Sequence, residues 1–123
     1  MGEFGALAAE AEQVRVRYRA LNAAKGERAW EIRDYAMGFV GDVGDLQKLI
    51  MAKENLRSVD DVDEKLAHEL ADCLWSVLVI AGNYGIDVEK AFDATMRSLT
   101  ERIAAEQEAV EHDAAEQRAE IDR

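Results

Sequence analysis

No proline occurs anywhere in the 123 residues, where average usage of about 5% would place roughly six. Without proline no residue must break a helix, and glycine is left as the main punctuation. Hydrophobic side chains recur in steps of three and four: Leu7, Ala11, Val14, Tyr18 and Leu21, then Ala36, Phe39, Val40, Val43, Leu46 and Ile50. That period belongs to helices. Alternating strand patterns and Asn-Gly or Asp-Gly hairpin turns are absent, so the expected fold class is all-α.

Four helices are predicted, at about residues 5–25, 28–56 and 61–84 and from a cap at Asp87 onward. Lys25-Gly26 closes the first and Tyr84-Gly85 the third, in the usual manner of a glycine just past a helix end. Asp60, Asp61, Asp63 and Glu64 crowd the start of the third, where the helix dipole favours negative charge. Beyond Ala104 the chain is mostly Ala, Glu and Gln. It reads as a helical domain over 1–103 followed by a solvated helical tail over 104–123. The third helix is apolar nearly all round from Cys73 to Ala81, with Trp75 and Val79 opposite its core face. Such a helix is buried on all sides, so the expectation is a four-helix bundle completed by homo-oligomerisation.

Asp and Glu number 26 against 15 Lys and Arg, a net charge of −11. Nucleic acid and anionic membranes need a basic surface, so neither is an expected partner. The longest apolar run, Cys73 to Gly82, falls well short of the roughly 20 residues of a membrane span. No basic region precedes an apolar stretch at the start, so no secretory leader is expected. A single cysteine, Cys73, excludes an intrachain disulfide and fits a reducing cytoplasm. Small polyanions remain admissible partners if a divalent cation lies between protein and phosphates.

Four carboxylates form a pattern. At about 100° per residue, with Phe39 as origin, Asp42 and Asp45 fall about 60° and 120° to one side of the second helix's apolar face. With Leu66 as origin, Glu69 and Asp72 fall at the same two offsets from the core face of the third, defined by Leu66, Leu70, Cys73, Leu74 and Val77. Folded as an antiparallel hairpin, the two i, i+3 pairs can converge at one edge of the buried seam. Converging carboxylates repel unless a cation joins them, and an all-oxygen ligand set suits Mg²⁺, with Mn²⁺ as a substitute. The alternative is a set of solvated boundary residues.

The segment Lys65 to Ala91, KLAHELADCLWSVLVIAGNYGIDVEKA, resembles the second half of a MazG-type domain of the all-α nucleoside triphosphate pyrophosphohydrolases. Glu69-Leu70-Ala71-Asp72 matches the family's E-x-x-D pair, and Gly85-Ile86-Asp87 its turn into the last helix. Trp30 to Leu46, ending GDVGDL, resembles the first helix of the motif, and the spacing from Asp45 to Glu69 lies within the family's range. The resemblance implies a MazG-like bundle, a homodimer or homotetramer, and hydrolysis of a nucleoside triphosphate to the monophosphate and pyrophosphate. It implies Mg²⁺ held by Asp42, Asp45, Glu69 and Asp72, with Glu69 as general base toward water.

Asp42 and Asp45 stand where the family usually has glutamates, so their carboxylates reach less far. Gly38, Gly41 and Gly44 beside them leave room for a phosphate or for a neighbouring helix. The family's late-helix Lys and Asn pattern is not evident, and Arg97 or Arg102 is the substitute expected to serve the phosphates. Trp30 could stack on a base or pack in the core or an interface. Cys73 is read as an inert core thiol, His68 and His112 as poor ligands away from the carboxylates, and Lys48 and Lys53 as solvated. Two functions follow: a nucleotide pyrophosphohydrolase, possible in nucleotide-pool sanitation, or a helical interaction module in which the shortened carboxylates have weakened catalysis.

Overall fold

A computed structural model describes residues 2–123. Four helices and no strand are found among them: α1 (Glu3–Ala24), α2 (Ile32–Lys53), α3 (Val62–Asn83) and α4 (Val88–Ile121). The chain divides into two units, one ending at Asp87 and the other running Val88–Arg123.

In the first unit α2 packs along α3, and α1 packs on α3 as well. The pairings of Lys53 with Asp63, of Asp42 with Glu69 and Asp72, and of Tyr35 with Trp75 run in opposite chain directions. The α2–α3 pair is therefore an antiparallel hairpin, as the sequence predicts.

The first three helices end by one device. Gly26, Asn55 and Gly85 adopt positive φ of 73°, 64° and 64°, and the next residue turns back. Glu27 N–H donates to Asn22 (2.8 Å), Leu56 N–H to Met51 (2.8 Å) and Ile86 N–H to Ala81 (2.9 Å). This satisfies carbonyls that the helix leaves open. Asn55 stops α2 before the predicted end.

At its other end α2 begins at Ile32 rather than at about residue 28, so Trp30 lies in the loop ahead of the helix instead of starting it. The Asp34 carboxylate accepts the Glu31 backbone N–H (2.8 Å) and two bonds from the Arg28 guanidinium (2.8 and 3.1 Å). Chiefly the Arg28 contact, helped by the Glu31 N–H, holds its pKa down to about 2. At α3 the acidic residues Asp63 and Glu64 stand in the first turn, as expected; Asp61, with φ 54°, makes no side-chain cap bond, and Asp63 pairs with Lys53 at 2.6 Å.

The core differs from the sequence expectation in one decisive respect. The buried residues of α2 are Tyr35, Leu49 and Ala52, on the flank that carries Asp42 and Asp45. Val40 and Ile50, expected in the seam, are 71% and 47% exposed, and on α3 Leu70 is 52% exposed. Both helices are rolled so that the acidic flank turns inward and the apolar stripe faces out. Trp75 shows why. Its indole N–H donates to the Ala11 carbonyl of α1 (3.1 Å), and its ring meets Tyr18 at 5.8 Å and Tyr35 at 5.7 Å. The face of α3 opposite the expected seam is thus covered by α1 within the same chain, correcting the expectation that Trp75 needs a second copy.

The second unit is α4 alone, one continuous helix through the predicted tail, with no buried residue. Phe92, Met96, Leu99 and Ile103 form an exposed apolar stripe along it.

Trp75→Ala is expected to lower stability by about 3 kcal/mol, toward the low end of large aromatic truncations because the ring is only half-buried. Trp75→Phe, which loses the indole donor but keeps a ring, should cost less. Urea unfolding of the two variants measures both.

Candidate functional site

The inward roll places the carboxylates. Asp42 on α2 and Glu69 and Asp72 on α3 each offer an oxygen within 4.8 Å of the others, and all three are half-buried. Asp45, one turn further along α2, is exposed and stands outside this trio. Ser76, a turn beyond Asp72 on the same stripe of α3, is buried.

Glu69 bears the electrostatic consequence. Its carboxyl pKa is raised, first by burial and then by Asp42 across the seam, with Asp72 and Asp45 adding to it. Its Oε1 is buried and has no hydrogen-bond partner, an arrangement that costs about 1–3 kcal/mol or more for a charged group. A divalent cation coordinated by Asp42, Glu69 and Asp72 would supply the missing partner and cancel the repulsion. The residues present therefore fit such a group: oxygen donors only, converging, with one orphaned lone pair.

His68 is not remote, contrary to the sequence reading. Its Nε2 lies 3.1 Å from Asp72 Oδ2, a contact that can hold a liganding carboxylate in place as outer partners of metal sites do. The i, i+4 spacing of His68 and Asp72 was the available signal. Cys73, half-buried beside the trio, has its thiol pKa raised by burial and then by Asp42, Glu69 and Asp72, which suppresses the nucleophilic thiolate.

On the other side of Asp42, Trp30 lies over Gly38. A Cβ at Gly38 would come within 3.3 Å of Trp30 Cζ3, so that glycine serves the indole of its own chain. Gly41 and Gly44 face open space. Trp30 is half exposed and packs edge-on against Tyr35 at 5.3 Å. Arg97 and Arg102 lie on α4, both exposed, in the unit separate from the trio. Lys48 is exposed, as expected, at the rim of a cavity that Asp45 and Glu69 also line.

Glu69→Gln removes the penalised charge. In cation-free protein near neutral pH it should raise the unfolding temperature. The sign follows from the raised pKa: folding favours the protonated acid, so stability falls as pH rises through the window above the ordinary carboxylate value. Thermal melts at several pH values in EDTA check this, and the gain should vanish in acid.

Residues 43–105, just over half of the chain, match the family model of the MazG nucleotide pyrophosphohydrolase domain. No curated protein and no solved structure matches the chain.

Proposed function

Because the chain belongs to the MazG nucleotide pyrophosphohydrolase domain family, we propose that it hydrolyses a nucleoside triphosphate, ribo or deoxy, to the monophosphate and pyrophosphate with Mg²⁺. The observation that carries this reading is the buried, unpartnered Oε1 of Glu69 facing Asp42 and Asp72. A cation between the three carboxylates would give that oxygen the partner it lacks and offset their repulsion. Asp45 contributes from the exposed edge. Mg²⁺, or Mn²⁺ in its place, would be held by Asp42, Glu69 and Asp72 and would supply charge neutralisation for the phosphates and a more acidic water molecule.

The chain's own residues have distinct tasks. Asp42 and Asp72 hold the cation from opposite helices, with His68 fixing Asp72. Glu69 offers one oxygen to the cation and the other to the proton of the attacking water. Water oxygen bonds to the α-phosphorus, the bond to the β-phosphate oxygen breaks, and pyrophosphate leaves. Trp30 stacks on the base, and Arg97 and Arg102 remain candidates for the phosphates. The reading suits sanitation of a cytoplasmic nucleotide pool, and among the described residues no helix is long and apolar enough to cross a membrane.

The outward stripes of Val40, Val43, Ile50, Leu70 and Leu74 in the first unit support assembly into a homodimer or homotetramer that covers them. Light scattering at micromolar concentration should give at least twice the monomer mass. A monomer would refute assembly.

Pyrophosphate release should require the metal and stop in excess EDTA. Glu69→Gln should abolish turnover while helicity is kept. Saturating Mg²⁺, at about 100 times its dissociation constant, should stabilise the wild type by about 2.7 kcal/mol and this variant far less. Release of orthophosphate instead would sink the assignment. The position of Asp45 outside the trio favours one competing reading, a helical interaction module with lost catalysis. That reading requires a wild type that neither binds Mg²⁺ nor turns over any nucleotide.

A further inference from the structure

One turn beyond the carboxylate trio, a cavity of about 430 Å³ opens between the second half of α2, the loop that follows and the first half of α3. Its walls are of two kinds. Asp45, Glu64 and Glu69 supply carboxylates, and Lys48, Arg57 and Lys65 supply cations from α2, the loop and α3 in turn. Elsewhere in the first unit Arg15 pairs with Glu12, Arg28 with Asp34, Arg33 with Glu31 and Lys53 with Asp63, while Arg17, Arg19 and Lys25, all on or at the end of α1 and apart from this cavity, make no ion pair among the described residues. Lys48, Arg57 and Lys65 make no ion pair among the described residues, although carboxylates share their cavity. Three cations from three separate segments, all left without a carboxylate partner, converge on one space.

We infer that this cavity receives the β- and γ-phosphates of the nucleotide, so that the substrate lies along α2 with its base toward Trp30 and its polyphosphate end at the α2–α3 loop. The inference rests on the proposed hydrolase reading for what is cleaved, but not for what is bound. Along α2 the order is Gly38 under Trp30, then Asp42 of the trio, then Asp45, then Lys48. At 1.5 Å per residue, Gly38 to Lys48 spans about 15 Å with the trio between them. That order puts the α-phosphorus opposite the carboxylates and the leaving pyrophosphate among the cations. The guanidinium of Arg57 can take two phosphate oxygens at once, and Lys48 and Lys65 act as point charges. The developing charge on the leaving group is then met by groups already in place. It also gives the phosphates protein ligands within the first unit, without calling on Arg97 or Arg102.

The test is calorimetric binding of inorganic tripolyphosphate to the full chain in excess Mg²⁺, which needs no turnover. All three cations are exposed, so their replacement by Met should leave the fold intact, as circular dichroism would verify. The double variant Lys48→Met/Arg57→Met should weaken tripolyphosphate binding by at least about tenfold, and adding Lys65→Met should weaken it further. Lys53→Met, whose lysine is paired with Asp63 outside the cavity, should bind as the wild type does. A triple variant within twofold of wild type, or equal weakening by Lys53→Met, would overturn the inference, as would a wild type that does not bind tripolyphosphate. A wild type that binds tripolyphosphate through these residues but releases no pyrophosphate from any nucleotide would support the inference and overturn the hydrolase reading.

Discussion

The contact on which the first unit turns is the indole of Trp75. It bonds to the backbone of α1 and receives the rings of Tyr18 and Tyr35, while Tyr35 in turn carries Trp30. Aromatic pairs of this kind contribute about 0.5–1.5 kcal/mol each beyond the area they bury. Their larger effect here is geometric. A helix with one side tied to α1 cannot also present its most continuous apolar stripe to α2. The roll that results leaves Leu70 and Leu74 outside and brings Glu69 and Asp72 into the seam.

Turning like charges inward is unfavourable in the isolated chain, and the raised pKa of Glu69 records that cost. The same choice gathers three carboxylates within 4.8 Å, the arrangement on which the proposed cation site rests. A net charge of −11 repels phosphates at long range, yet the site joins a trio of carboxylates to a cavity with unpaired cations on its walls. On the proposed reading an acidic chain accepts a polyanion locally, without the extended basic surface on which nucleic-acid binding depends. The outward apolar stripes are the other side of the same roll, since side chains displaced from the seam remain available for a neighbouring copy.

Much of this was legible in the sequence. The helical period and the glycines at 26 and 85 set the elements, and of the four acids in the i, i+3 pairs three, Asp42, Glu69 and Asp72, meet. Errors arose where a long-range partner decided the matter. Helix α2 starts late because Arg28 clamps the capping Asp34, a contact across six residues that periodicity does not see. Gly38 is explained by Trp30, eight residues earlier in a loop. His68 stands away from the carboxylates by its backbone angle, yet its side chain reaches Asp72 one turn further along.

By itself, then, the sequence determined which segments are helical, where α1 and α3 stop, and the angular position of each carboxylate relative to its own helix's apolar face. These are local properties, fixed by 3.6 residues per turn and by which residues tolerate a left-handed backbone. The tertiary structure alone decided the roll of α2 and α3 about their axes. That roll admitted Asp42, Glu69 and Asp72 to the trio and left Asp45 at its edge, and it set Lys48, Arg57 and Lys65 around one cavity. The physical reason is that helical periodicity fixes angles within a helix but not the helix's orientation in space, which depends on contacts as distant in sequence as Ala11 and Trp75.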